Sequence, residues 1–280
     1  MDDNKDDYVA PELKQQKKAR RLPTKKTPKK TSLSDLTILL YGKPKIGKSS
    51  FASQFPQAIF HPTEPGLNSL EVFQSTDDPD SDGDSDIIRT WAELSQMLSL
   101  VALGGHDFKT NVIDTIGNAY EFCAKHVCDK RNIEYAGDLA HGKGWGLIKS
   151  EFKRLLTAAA GLPYGLLLIA HATEEKDVIE GVDRLKTQPT LSKACREVLL
   201  GMVDMILYFD VEKVQGENGE TYYDRVLRTK PSTTFEAGDR TNTLPSVIRV
   251  PNSQGMSGPE HSAKLFKLFR AAFEKGNNAK

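Results

Sequence analysis

Residues 42–49 read GKPKIGKS, the spacing G-x-x-x-x-G-K-S. Glycines at its ends let the backbone curl so that successive N–H groups face one anion, and a following helix adds partial positive charge. The pattern makes Gly42, Lys43, Pro44, Lys45, Ile46, Gly47 and Ser50 a phosphate cradle. Lys48 would reach the β- and γ-phosphates of a nucleotide, and Ser49 would ligate Mg²⁺. A second chemical stretch, NVIDTIG at 111–117, runs apolar into Asp114. Asp114 would hold the same Mg²⁺ through water, opposite Ser49; the plainer reading is a helix-capping aspartate. Thr115 follows, and a threonine cannot serve there as general base.

A base must then come from elsewhere. In P-loop proteins with an added strand between these two motifs, the activating glutamate can sit at the tip of a neighbouring strand. AIFHPTEPG at 58–66 offers such a tip, with Glu64 in a turn flanked by Pro65 and Gly66. Its carboxylate would orient water toward the γ-phosphate; otherwise it is a plain loop acid.

Positioning these groups needs strands that end together. Apolar runs predict strands over 36–41, 57–62, 110–115, 164–172, 203–209 and 224–230. Helical spacing is present in KSSFASQF after the phosphate loop, in 91–103, from 115 to about 130, and in IKSEFKRLLTAAA. VEKVQGENGETYY reads as a hairpin turning at Asn218 and Gly219. Strands alternating with helices predict an α/β fold, a mostly parallel sheet with helices on both faces. SAKLFKLFRAAFEK predicts a C-terminal helix whose stripe of Leu265, Leu268, Phe269, Ala272 and Phe273 packs on a core. The expected division is a disordered basic tail at 1–34, an ATPase core at 35–250, and a linker with the C-terminal helix at 251–280.

Composition narrows the class. The chain has 280 residues, balanced formal charge and three cysteines, Cys123, Cys128 and Cys195. Sparse, odd cysteines fit a reducing cytoplasm better than a disulfide scaffold. No apolar run is long enough to span a bilayer, so no membrane role is expected. Charge is segregated at the start: acids come first, then KQQKKARRLPTKKTPKK carries nine Lys or Arg. That run reads as a solvated tail, an electrostatic hold on nucleic acid, or an import signal. DDPDSDGDSD at 77–86 begins like a calcium loop, but the twelfth position is Arg89, so a solvated acidic loop is the better reading. Cys123, His126 and Cys128 do not share one helical face and offer no fourth ligand for zinc. DKRNIEYAGDLAHGKGWG mixes Lys130, Arg131 and Lys143 with Tyr135 and Trp145, cations for phosphates and rings for bases, in a glycine-loosened loop; an ordinary surface loop is the alternative.

GKPKIGKSS, HPTEPG, NVIDTIG and LLLIAHA, in that order, resemble the RecA-type ATPase core. More narrowly, with HGKGW and RVLRTKPSTTFEAGDRTNTLP, the chain resembles the core-only RecA-like ATP-binding proteins of bacteriophages, associated with single-strand annealing and recombination. The likeness spans roughly 36–250. It implies ATP and Mg²⁺ as cofactors, a DNA-stimulated ATPase, single-stranded DNA as partner, assembly into a ring or filament, a single-strand-binding protein as a further partner, and the bacterial host cytoplasm as the setting. It implies that His171, at the end of the fourth strand, senses the γ-phosphate; a hydrogen-bonded structural histidine is the alternative. It also implies that EEKDVIEGVDRLKTQPTLSK, with Arg184 and Lys186, forms a second DNA loop. Finally, it implies that a neighbouring subunit supplies a cation to the γ-phosphate, with Lys230 first and Arg240 second; the bland reading of both is a charged strand edge and turn. A nucleotide-gated loader, or a helicase or packaging motor subunit, are the other readings.

Overall fold

The computed structural model describes residues 22–76, 87–139, 142–179, 182–215 and 219–279. Most of the basic tail, the acidic insert at 77–86 and the turn at Asn218 lie outside the described residues. After a 3₁₀ turn at Leu33–Asp35 (a second lies at Ala136–Asp138), the elements run β1 (Thr37–Gly42), α1 (Lys48–Ala52), β2 (Ala58–Pro62), β3 (Phe73–Gln74), α2 (Trp91–Leu103), β4 (Thr110–Asp114) and α3 (Ile116–Arg131). They continue through α4 (Lys143–Ala160), β5 (Gly165–Ile179), β6 (Val182–Pro189), α5 (Lys193–Met202), β7 (Met205–Gln215), β8 (Thr221–Arg228), β9 (Gly238–Asp239), β10 (Val247–Arg249) and α6 (Gly258–Asn278).

One sheet organises the chain, in the order β10-β8-β7-β1-β5-β4-β2-β3, with β6 beside β5 and β9 beside β7. From β7 to β3 the neighbours are parallel; β6, β8, β9 and β10 are antiparallel additions. This is the expected α/β P-loop NTPase core. β5 lies between β1 and β4, so an added strand does separate the phosphate-loop strand from the Asp114 strand. β1 is buried along its whole length, as a strand covered on both faces must be. Its side chains alternate: Leu39 and Tyr41 join the layer of α2, α3, α4 and α5, while Ile38 and Leu40 join the layer of α1 and α6.

Helix starts follow their caps. The Thr90 hydroxyl accepts from Glu93 N–H at 3.2 Å, and Ser192 and Ser257 cap α5 and α6 in the same way. On α6 the buried stripe is Leu265, Phe266, Phe269 and Phe273. Phe266 takes the place expected for Leu268, which is 37% exposed, because the facing rings of Phe51 and Phe55 lie on the Phe266 side.

Three expectations are corrected. β5 does not end at His171 but runs on to Ile179, and β6 returns beside it. The presumed second DNA loop is therefore a two-stranded ribbon followed by α5. The glycine-rich stretch before Trp145 is not an open loop: Gly144 and Trp145 belong to α4. Gly144 packs so closely on the Ala136 carbonyl that a methyl group would overlap it.

Candidate functional site at the carboxyl edge of the sheet

β1, β4 and β5 deliver Gly42, Asp114 and His171 to one edge of the sheet, in register with one another: Gly42 pairs with His171, and Asp114 with Ile169. The phosphate loop leaves β1 at that edge. Gly47 adopts φ 108°, a left-handed turn that side chains resist, and α1 begins at the next residue. With the β2 exit at Thr63 to Leu70, the loop encloses a cleft of about 450 Å³. The predicted cradle residues Pro44, Lys45, Gly47, Lys48, Ser49 and Ser50 line it, as do Glu64, Asp114 and His171. Gly42 and Lys43 contribute through their carbonyls, and Ile46 is buried behind the loop.

Lys48 is folded back on its own loop, donating to the Gly42 and Lys43 carbonyl oxygens at 3.0 Å each. Burial lowers its pKa, an effect that Asp114 and Glu64 only partly oppose. Ser49 Oγ donates to Asp114 Oδ2 at 2.6 Å. Burial raises the Asp114 pKa, against the Ser49 hydrogen bond. Asp114 is thus not a helix cap; Thr115 holds the cap position of α3, with no side-chain hydrogen bond. A desolvated carboxylate beside a hydroxyl is an all-oxygen donor set that gains from a hard dication, so these residues fit Mg²⁺.

Glu64 sits where the base was expected. Its Oε1 is 3.1 Å from His171 Nε2, and its Oε2 accepts from Asn118 Nδ2 at 3.3 Å. Asn118 also donates to the Thr63 carbonyl at 3.1 Å. Thr63 and Thr115 exchange two bonds: Thr63 Oγ1 donates to the Thr115 carbonyl at 2.9 Å and accepts from Thr115 N–H at 2.8 Å. Thr115 is no base, but it fastens the Glu64 turn to the Asp114 strand. Below it, His61 bridges Ser75 Oγ at 2.6 Å and Asn111 Oδ1 at 3.1 Å, fully buried. Burial lowers the His61 pKa to about 4, so the ring is neutral and holds β2 to β4. Sequence reading missed Asn118, whose only signal was its place one turn into the helix after Asp114.

The remaining expected residues lie elsewhere. Lys230 and Arg240 are at the opposite edge of the sheet, where β9 pairs with the start of β7. Lys230 Nζ is 3.2 Å from Asp239 Oδ2, and Arg240 donates to the Gly201 carbonyl at 3.1 Å. Both are engaged within their own subunit. Lys130 and Arg131 are exposed at the end of α3, and Lys143 and Trp145 at the start of α4. Trp145 borders a second cleft shared with Glu121 and Glu175. Arg184 is exposed on β6, but Lys186 is half-buried and paired with Glu236 at 2.6 Å, so it is not the free cation the sequence led us to expect.

Residues 34–241 match a family described as an AAA domain. A prophage relative, the SPbeta prophage-derived uncharacterized protein YorG of Bacillus subtilis (strain 168), is 21% identical over 181 residues, covering 63% of this chain and 51% of that protein. The chain thus spans about half the length of the curated relative it matches. Among solved structures, the KaiC-like protein PH0186 from Pyrococcus horikoshii OT3 aligns at 13% identity with a TM-score of 0.40, covering 74% of this chain and 84% of that one. Among the described residues, no helix is long and apolar enough to cross a membrane.

Proposed function

The chain belongs to the AAA-domain family of P-loop NTPases, and we propose that it hydrolyses ATP with Glu64 as general base and couples hydrolysis to single-stranded DNA in phage-type recombination or annealing. The observation that carries this reading is the doubly held Glu64 carboxylate, bonded to His171 and Asn118 on the wall of the Lys48 cleft. A carboxylate fixed on both oxygens is aimed, and aiming is what a base for a water molecule needs.

Lys48 would exchange the two loop carbonyls for phosphate oxygens, a stronger charge-assisted contact. Ser49 and Asp114 would hold Mg²⁺, which supplies charge neutralisation on the phosphate oxygens when bound. Glu64 would take a proton from the attacking water. His171 ties that carboxylate to β5, and β5 continues into the ribbon with β6, so the state of the base and the position of the ribbon are linked through one strand.

The prophage origin in the relative's name supports the phage setting and hence a bacterial host cytoplasm. Exposed Lys130, Arg131, Lys143 and Arg184, with Trp145 as a stacking surface, form the proposed DNA contacts. DNA would align subunits in a ring or filament, and a neighbour's Lys230, with Arg240 second, would complete the charge around the γ-phosphate. A single-strand-binding protein would share the strand.

Steady-state ATP hydrolysis with and without single-stranded DNA tests the reading. Stimulated turnover supports it. Tight ATP binding with slow, DNA-independent turnover points instead to a nucleotide-gated loader, and absence of any nucleotide binding overturns it.

A further inference from the structure

The phosphate loop has a second layer behind it, built from β8 and from the first turn of α6. Arg225 NH1 is 3.5 Å from the Ile46 carbonyl oxygen. A side chain at Gly47 would meet Arg225 NH1 and Ser262 Oγ, each at 3.4 Å from its Cβ. Gly258, in the first turn of α6, approaches the same guanidinium so closely that its Cβ would stand 3.7 Å away. Beside Arg225, Asp224 and His261 are both buried, with His261 Nε2 3.3 Å from Asp224 Oδ1. The Asp224 carboxylate also accepts from Arg225 N–H at 2.8 Å. Further along α6, Phe266 and Phe269 pack edge-on against Phe51 of α1, with ring centroids 5.7 Å apart in both pairs. α6 begins at Gly258, beyond the residues 34–241 that match the family.

We propose that Arg225, held by the start of α6, is a positioning residue that sets the phosphate loop for nucleotide. The argument is one of peptide geometry. In a trans peptide the carbonyl of one residue and the N–H of the next point in opposite directions. A cation that draws the Ile46 carbonyl backward turns the Gly47 N–H forward, into the cleft. Gly47 carries no Cβ and its φ of 108° lies where glycine moves freely, so without such a hold this peptide can rotate and the N–H is lost to the anion. Fixing it beforehand removes that ordering cost from binding. Burial, and then the charge of Arg225, lower the His261 pKa, so the ring adds no second cation beside the guanidinium. The Phe51 packing fixes the other end of the loop, where α1 carries Lys48 and Ser49.

This rests on reading residues 42–50 as the nucleotide loop, and the test separates the two. Calorimetry would follow a non-hydrolysable ATP analogue with Mg²⁺ binding to the full chain, alongside the melting temperature without nucleotide. Arg225→Met should weaken binding about tenfold, the size of one hydrogen bond to a charged group. The nucleotide-free melting temperature should change little, and KM for ATP should rise with kcat within about twofold, the signature of lost uniform binding. Arg225→Lys should recover part of the affinity. Arg225→Gln, which keeps a planar polar tip, serves where the apolar replacement fails to fold, with the same expected loss. Wild-type affinity in either neutral variant overturns the proposal, as does a loss of affinity matched by a fall in melting temperature. A wild-type chain that binds no analogue overturns the nucleotide reading itself.

Discussion

At the carboxyl edge of the sheet, burial drives Lys48 and Asp114 toward their neutral forms: the lysine pKa is lowered and the aspartate pKa raised. At the opposite edge the balance reverses. Burial would raise the Asp239 pKa too, but the Thr241 hydroxyl, the Leu244 N–H and Lys230 outweigh it and lower it overall. The Asp239 carboxylate accepts from the backbone of Thr241, Asn242, Thr243 and Leu244 in one turn. One edge holds charge it has not yet neutralised; the other has neutralised its charge within the chain. The difference teaches where to look for ligand binding: uncompensated desolvation marks the Lys48 cleft as the candidate site, while a charge bonded within its own chain, as Lys230 is to Asp239, must exchange that partner before it can serve a neighbouring subunit.

The largest expected effect would break that contrast. Lys230→Ala should bind ATP normally yet lose DNA-stimulated turnover by about 10³-fold, the lower end for a cation supplied from a neighbour. Mixed with Glu64→Gln, which keeps its own Lys230, it should regain part of the activity at mixed interfaces. Co-assembly without rescue would leave Lys230 as the structural partner of Asp239 alone. Next, Lys48→Ala should weaken ATP binding about a hundredfold, the scale of about 3 kcal/mol in charge-assisted contacts, read by calorimetry.

The same substitution at the two edges should have opposite signs. A folded pKa below the unfolded value gives Asp239 a stabilising contribution that is present above about pH 4 and is lost as pH falls through the folded pKa. Asp239→Asn should therefore cost about 2 kcal/mol at pH 7. Asp114 has the raised pKa, so it costs stability that is greatest above the folded pKa, shrinks as pH falls below it and is gone below the ordinary carboxylate pKa of about 4. Asp114→Asn should raise the nucleotide-free melting temperature at pH 7 while abolishing Mg²⁺-dependent binding. Thermal unfolding of both variants across pH checks the pair; equal signs would dissolve the contrast. The smallest effect concerns the tail. Deleting residues 1–30 should weaken DNA binding about tenfold and flatten its log–log salt slope, since ten Lys or Arg leave, nine of them in one run. An unchanged slope would point the tail at something else.

Much of the carboxyl edge was legible because its signals are local. Gly42 to Ser49 is one short string, and Asp114 and His171 lie on apolar runs that can only be buried strands. The place of Glu64 in the cleft was also legible, from its turn at the tip of β2. The ribbon of β5 and β6 was missed because residues 174–176 and 183–185, which fall on both its faces, are all exposed, so no apolar alternation marks it. α5 carried a readable stripe, Cys195, Val198 and Leu199, obscured by reading the charged stretch before it as loop. Asn118, the Thr63–Thr115 exchange and Arg225 were not legible. Their partners lie 52 to 179 residues away in the chain, and single polar residues carry no periodicity. The Asp239 turn hid the engagement of Lys230 for the same reason: spacing shows a cation, not what holds it.

The central claim is that Glu64 is the base that Thr115 cannot be. Its most direct test is Glu64→Gln, followed by calorimetry with ATP and Mg²⁺ and by single-turnover hydrolysis. The amide fills the same space and keeps a contact with Asn118, so affinity should stay within about threefold of wild type, while hydrolysis should fall by about 10²–10⁴. Hydrolysis at the wild-type rate with intact binding would contradict the account and place the base elsewhere in the chain.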